Sequence, residues 1–228
     1  MLGLKGSQAE RAVILDFDGV IMDTESAVVS AWRAECAELE LPFDEPAFVA
    51  AIGVPSLAPE RVLAVLGDGV GDPHDFADRV RARLAVTSAA LPVLPGVLDL
   101  LAEAEQAGVP VAVASGARRT WVRGHLARAG LLDRLRAVVC REDAVASKPA
   151  PDLYLTALDR LRVQARVAVA VEDSATGVAA ARAAGVRCVG VPGPVTLGHD
   201  LSAADLLLPS LAGARLADLF APAGPGQL

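Results

Sequence analysis

Val13-Ile-Leu-Asp-Phe-Asp-Gly-Val-Ile-Met-Asp-Thr-Glu25 decides the fold. It opens as a short β-branched, apolar run without polar alternation, the pattern of a strand buried on both faces of a parallel sheet. We place that strand over residues 12–17, with Gly19 breaking it. Asp16 and Asp18 lie at its C-terminal end. Side chains two apart on a strand share a face, unless the chain has already turned at Asp18. Carboxylates this close repel each other unless a cation or a shared proton intervenes. The pair therefore marks a site.

Outward from this stretch the pattern changes twice. From Ser26, Ala27, Ala31 and Ala34 recur at helical spacing with Trp32 and Leu39. Breaks follow at Pro42, Gly53-Val-Pro55, Gly67-Asp-Gly69 and Gly71-Asp-Pro73, and no strand is convincing before residue 90. Leu91-Pro-Val-Leu-Pro-Gly96 reads as a linker, because proline suits the interior of neither helix nor strand. Beyond it, helices are expected at 97–107, 118–129, 151–161 and 176–184. Strands are expected at 109–114, 137–140, 166–171 and 187–191, with a last short one at 206–208 and a frayed C-terminal tail. Alternating strands and helices imply right-handed crossovers and a parallel sheet. The expected fold is α/β: a Rossmann-like core from residues 1–25 and 91–228, with an all-helical domain of residues 26–90 inserted.

Composition narrows the function. The 228 residues are 53% hydrophobic and carry a formal charge of -7. That charge argues against nucleic acid as a partner. No apolar run reaches the roughly 18 residues that would span a bilayer, and the first residues lack the apolar core of an export signal. Three scattered cysteines, Cys36, Cys140 and Cys188, form no CxxC and fit reduced, buried thiols. We expect a cytoplasmic monomer without a membrane partner.

In an open parallel sheet, ligands bind beyond the C-terminal strand ends. Those ends carry Asp16-x-Asp18, Ser115-Gly116, Ser147-Lys148-Pro149 and Glu172-Asp173-Ser174. Four acids at one place call for a hard divalent cation, and an all-oxygen donor set fits Mg2+. Lys148, one of two lysines in an arginine-rich chain, could hold Asp16 ionised and offset a phosphate. Ser115 could donate to a phosphoryl oxygen. An aspartate beside a metal and a lysine can attack phosphorus and give an aspartyl-phosphate. A second acid must then protonate the leaving group and activate water. Asp16 and Asp18 suit that division.

Asp16-Phe-Asp-Gly-Val-Ile-Met-Asp-Thr-Glu25, Ala114-Ser-Gly116, Ser147-Lys-Pro149 with Pro151-Asp152, and Val171-Glu-Asp-Ser174 together resemble the four ordered motifs of the haloacid dehalogenase superfamily. The resemblance is to its sugar-phosphatase and β-phosphoglucomutase branch, and it spans nearly the whole chain. It implies a helical cap (of the C1 type) inserted just after the first motif. Asp16 is implied as nucleophile and Asp18 as general acid/base. Mg2+ is implied on Asp16, the Asp18 carbonyl and Asp173, with Glu172 assisting. Ser115, Gly116 and Lys148 would bind the phosphate of a small phosphorylated substrate.

Asp18 favours phosphorus over carbon–halogen chemistry, since the dehalogenases lack that second aspartate. β-Phosphoglucomutases carry a cap histidine where this chain has Val28, and an arginine in the stretch matching Gly53-Val-Pro-Ser56, which has none. The expected activity is therefore a phosphatase, with a mutase and a non-catalytic metabolite binder as alternatives. Receiver-type signalling modules lack the cap. Arg118, Trp32 and Ile52 are candidates for substrate selection. Trp121, with Gly124-His125, reads as packing.

Overall fold

The structure, a computed structural model, describes residues 11–50 and 58–221. The first strand is β1 (Ala12–Leu15). Four helices follow: α1 (Thr24–Glu38), α2 (Glu45–Ala50), α3 (Pro59–Leu66) and α4 (Pro73–Thr87). The chain then alternates through α5 (Val97–Ala107), β2 (Val111–Ala114), α6 (Arg119–Arg128), β3 (Ala137–Val139), α7 (Asp152–Leu161), β4 (Ala168–Glu172), α8 (Ala175–Ala183) and β5 (Arg187–Gly190). A two-residue β6 (Leu206–Leu207) and α9 (Leu216–Phe220) complete it.

All strand pairs are parallel, in the order β3-β2-β1-β4-β5-β6. The first strand therefore lies inside the sheet, between β2 and β4, where the winding direction reverses. Its period-two alternation feeds both faces. Val13 and Leu15 join the layer made by α5, α6 and α9, while Ala12 and Ile14 meet α7 and α8. Strands wholly buried in this way need no polar side, which is why the run at 12–15 is uniformly apolar.

Helices α1 to α4 enclose a separate apolar cluster around Trp32, Phe48, Phe76 and Val80. Asp23 caps α1 by accepting from the Ser26 amide at 3.1 Å, and Asp72 caps α4 by accepting from His74 at 2.8 Å. Glu35 is buried on α1 and takes guanidinium bonds from Arg79 and Arg83 of α4, which tie the two helices together. The two connections to this helical group are joined to each other. Met22 bridges Val93, and the Leu94 amide donates to the Ile21 carbonyl at 2.8 Å. The stretch read as a linker is thus partly extended and paired.

Every strand is shorter than its expected span, and β4 is also shifted, starting two residues later and ending one residue further on, at Glu172. The short α9 was not anticipated. Ile52, the Gly53–Ser56 run and the C-terminal tail lie outside the described residues.

Candidate active site

The C-terminal ends of β1 and β4 bring three acids together. Ligand atoms of Asp16, Glu172 and Asp173 all lie within 4.8 Å of one another, and all three residues are buried. Backbone pairing sets this up: the Asp16 amide donates to Val171 at 3.0 Å, so the chain leaving β1 stays against the end of β4.

Lys148 enters from the loop before α7. Its Nζ donates to Asp16 Oδ1 at 2.8 Å and to Glu172 Oε1 at 2.6 Å. Tyr154 of α7 also donates to Glu172 Oε1, and Ser174 reaches Oε2 at 3.4 Å. Both oxygens of Glu172 thus have donors. Asp173 Oδ2 accepts from the Thr196 hydroxyl at 3.0 Å, and that hydroxyl is held by the Gly193 amide at 2.8 Å.

One ammonium among so many acids leaves excess negative charge. Burial pushes the Glu172 carboxyl up to about 7, against partial relief from Lys148. Asp16 and Asp173 are raised by burial too, with the neighbouring carboxylates adding to the rise. Against the opposing effect of its own burial, Asp16 and Glu172 push Lys148 above the ordinary lysine range. Glu25 belongs to this field. Its Oε2 is buried and has no hydrogen-bond partner among the described residues, and burial together with Asp173, Asp18 and Asp16 raises its carboxyl to about 10. An all-oxygen set with unbalanced charge fits a hard cation such as Mg2+.

Asp18 faces elsewhere. Thr24 donates to Oδ1 at 2.5 Å, the Trp121 indole donates to Oδ1 at 3.3 Å, and Ser115 donates to Oδ2 at 3.1 Å. The Asp18 carboxylate is not one of the three that cluster, so among the residues expected to hold metal it stands apart in side-chain direction. Ser115 is fully buried at the end of β2, where it accepts from the Ala117 amide at 3.0 Å. Gly116 and Arg118 are exposed beside it, Arg118 at the N-terminal boundary of α6.

Trp32, expected at a substrate pocket, is instead fully buried among Phe43, Phe48 and Phe76 in the helical core. Trp121, read as packing, places its one polar atom on Asp18. Tyr154, Thr196 and Glu25 were not singled out. Tyr154 is the chain's single tyrosine. Thr24 and Glu25 sit within the opening motif.

Gly19 makes the site possible. Its φ is +76°, a region costly to side chains, and a Cβ there would fall inside the Asp173 carboxylate. Gly19→Ala is expected to displace Asp173 and lower divalent-cation affinity at least tenfold, measured by metal titration of the purified variant.

A family model for haloacid dehalogenase-like hydrolases matches residues 13–191. Protein CbbY (plasmid) of Cupriavidus necator is 32% identical over 219 residues, covering 88% of this chain and 85% of the relative. Fructose-1-phosphate phosphatase YqaB of Escherichia coli is 33% identical over 183 residues, covering 78% and 95%. A crystal structure of a CbbY variant from Rhodobacter sphaeroides with xylulose-(1,5)bisphosphate superposes with a TM-score of 0.78 at 30% identity, covering 92% of this chain and 98% of that one. The ordered motifs, the sheet that gathers them and these relatives agree, and the chain belongs to the haloacid dehalogenase-like hydrolase family, as a phosphoric monoester hydrolase.

Proposed function

We propose that this enzyme hydrolyses a small sugar phosphate or similar phosphomonoester through a covalent aspartyl-phosphate on Asp16. The observation that carries the reading is the buried arrangement of Asp16 against Lys148 and beside Asp173, with a separately held acid, Asp18, two residues on.

Asp16 and Asp173 would hold Mg2+ with their carboxylates, and Asp18 with its main-chain oxygen. Glu172, whose oxygens already have donors, would contribute charge and fix Lys148. When bound, the ion neutralises phosphoryl charge and orients the group for in-line attack.

An Asp16 oxygen attacks phosphorus while the ester P–O bond breaks. Lys148 and Ser115 meet phosphoryl oxygens, and Asp18 gives its proton to the leaving alkoxide. In the second half, water attacks the same phosphorus. Asp18 takes the water proton back, the P–O bond to Asp16 breaks, and phosphate leaves. The helical group of residues 26–90 acts as the cap, closing to shed bulk water from the acyl phosphate until it turns over. The unpartnered Glu25 oxygen, at the start of α1, favours a hydroxylated substrate that supplies its missing partner. The fructose 1-phosphate in the name of YqaB and the xylulose bisphosphate bound in the CbbY complex are such molecules.

Phosphate release from fructose 1-phosphate and xylulose 1,5-bisphosphate tests the reading. We expect turnover of at least one phosphomonoester with Mg2+, loss of activity in EDTA, and recovery on adding excess Mg2+. Undiminished turnover in EDTA, or no release from any phosphomonoester across a broad panel, would count against it.

A further inference from the structure

We propose that Trp121 is a positioning residue for Asp18: its indole N–H holds the carboxylate in the direction from which it serves the leaving group. The inference rests on the aspartyl-phosphate reading above.

The two oxygens of Asp18 have different neighbours. Oδ1 faces Trp121 Nε1 at 3.3 Å and the Thr24 hydroxyl at 2.5 Å, whereas among the described residues Oδ2 has the Ser115 hydroxyl as its donor, at 3.1 Å. A hydroxyl can donate or accept, but an indole N–H can only donate. The half-buried indole N–H therefore holds the carboxylate by Oδ1 in a way that a hydroxyl, free to rotate, does not. With Oδ1 held, Oδ2 is left beside Ser115, the residue expected to meet the phosphoryl group. The indole N–H is in place before the reaction, so the carboxylate needs no reorientation when it acts.

The indole is held for this task. Trp121 stands edge-on to His125 with ring centroids 4.3 Å apart, and His125 tilts against Phe17 at 5.9 Å. An Arg128 guanidinium donates to His125 Nδ1 at 2.6 Å, so that nitrogen accepts and the ring is oriented. Burial, with Arg128 beside it, pushes His125 down to about 4, which keeps the imidazole neutral near pH 7. Phe17 lies between the two catalytic aspartates in sequence. The ring series Phe17–His125–Trp121 thus returns to the segment it braces. Simple core packing would need the ring of Trp121 but not the direction of its N–H.

Two replacements at position 121 separate these roles. Trp121→Phe removes the N–H and shortens the ring. Site-specific insertion of 3-benzothienylalanine replaces N–H by sulfur in a ring of the same shape, so it keeps the packing. Pre-steady-state transfer to the enzyme is followed with two probes. Fructose 1-phosphate has an alkoxide leaving group that needs a proton, and p-nitrophenyl phosphate has one that does not. We expect the benzothienyl enzyme to transfer phosphate from fructose 1-phosphate about tenfold more slowly, the effect of one hydrogen bond to a charged group. The p-nitrophenyl burst rate, KM and thermal midpoint should stay within twofold, or within a few degrees, of wild type. Trp121→Phe should show the same selectivity with some added loss of stability.

Equal transfer rates in the benzothienyl and unmodified enzymes would overturn the proposal. So would a fall that affects both probes alike, since that is what lost packing produces. The wild-type and Asp16→Asn enzymes run beside them. Should the wild type form no phospho-enzyme, or Asp16→Asn form as much, the covalent reading itself fails, independently of Trp121.

Discussion

Asp16→Asn is expected to lower phosphomonoester turnover by about four orders of magnitude or more while the protein stays folded. The substitution keeps the shape of the side chain and removes the anion that attacks phosphorus. It also takes one charge out of a group of buried acids whose carboxyls are already raised by burial and by each other. Mutual repulsion falls, and Lys148 keeps Glu172 as a partner at 2.6 Å. The thermal midpoint should therefore be unchanged or slightly higher. Phosphate release measures the loss. The wild-type enzyme quenched in acid during turnover should carry phosphate that hydroxylamine removes, as an acyl phosphate does, and the variant should carry none. A catalytically competent Asp16→Asn enzyme would eliminate Asp16 as nucleophile.

Lys148→Met should be nearly as damaging to catalysis, and it should also cost stability. The ammonium is the one cation bonded to Asp16 and Glu172 among the described residues. Removing one partner of a buried ion pair typically costs about 3–5 kcal/mol, because the remaining charge is left uncompensated. The cost depends on pH with a definite sign. Burial holds the Glu172 carboxyl up at about 7 in place of its ordinary 4.5, so stability falls as pH rises between those values, where the unfolded chain releases the proton that the folded one keeps. Without Lys148 its carboxyl moves higher still, and the loss extends to more alkaline pH. Denaturant unfolding at pH 5 and pH 8 should show a larger deficit against wild type at pH 8. A deficit that shrank as pH rose would contradict this charge assignment.

The core was legible because its physics is local. A uniformly apolar β-branched run such as 12–15 has few alternatives to a doubly covered parallel strand, and polar groups at successive strand ends could be gathered on paper by the crossover rule alone. Glu172 was placed just after its strand and in fact closes it, paired in register with Gly190, because the strand's end is set by its neighbour β5. The groups that orient the catalytic side chains were harder to see. Tyr154 meets Glu172, Thr196 meets Asp173 and Trp121 meets Asp18 across long sequence separations. An aromatic on an amphipathic helix reads as core whichever way its polar atom points. Trp32 shows the converse: a tryptophan near the first motif was a candidate for substrate selection, yet helices α1 to α4 use it to fill their own interior. The five-residue α9 carries too few turns for periodicity to register.

The bridge between Met22 and Val93, with the Leu94–Ile21 hydrogen bond beside it, turns two tethers into a single pivot. A body on two independent straps can slide and twist, whereas a body on one pin mainly swings. That pin begins four residues after Asp18, and Thr24 on its far side is bonded to the Asp18 carboxylate. A swing of the proposed cap about this pin would carry Thr24 with it, and through Thr24 the direction of the Asp18 carboxylate. A single residue inserted into either strand of the pivot would put the two out of phase without touching any group that contacts phosphorus.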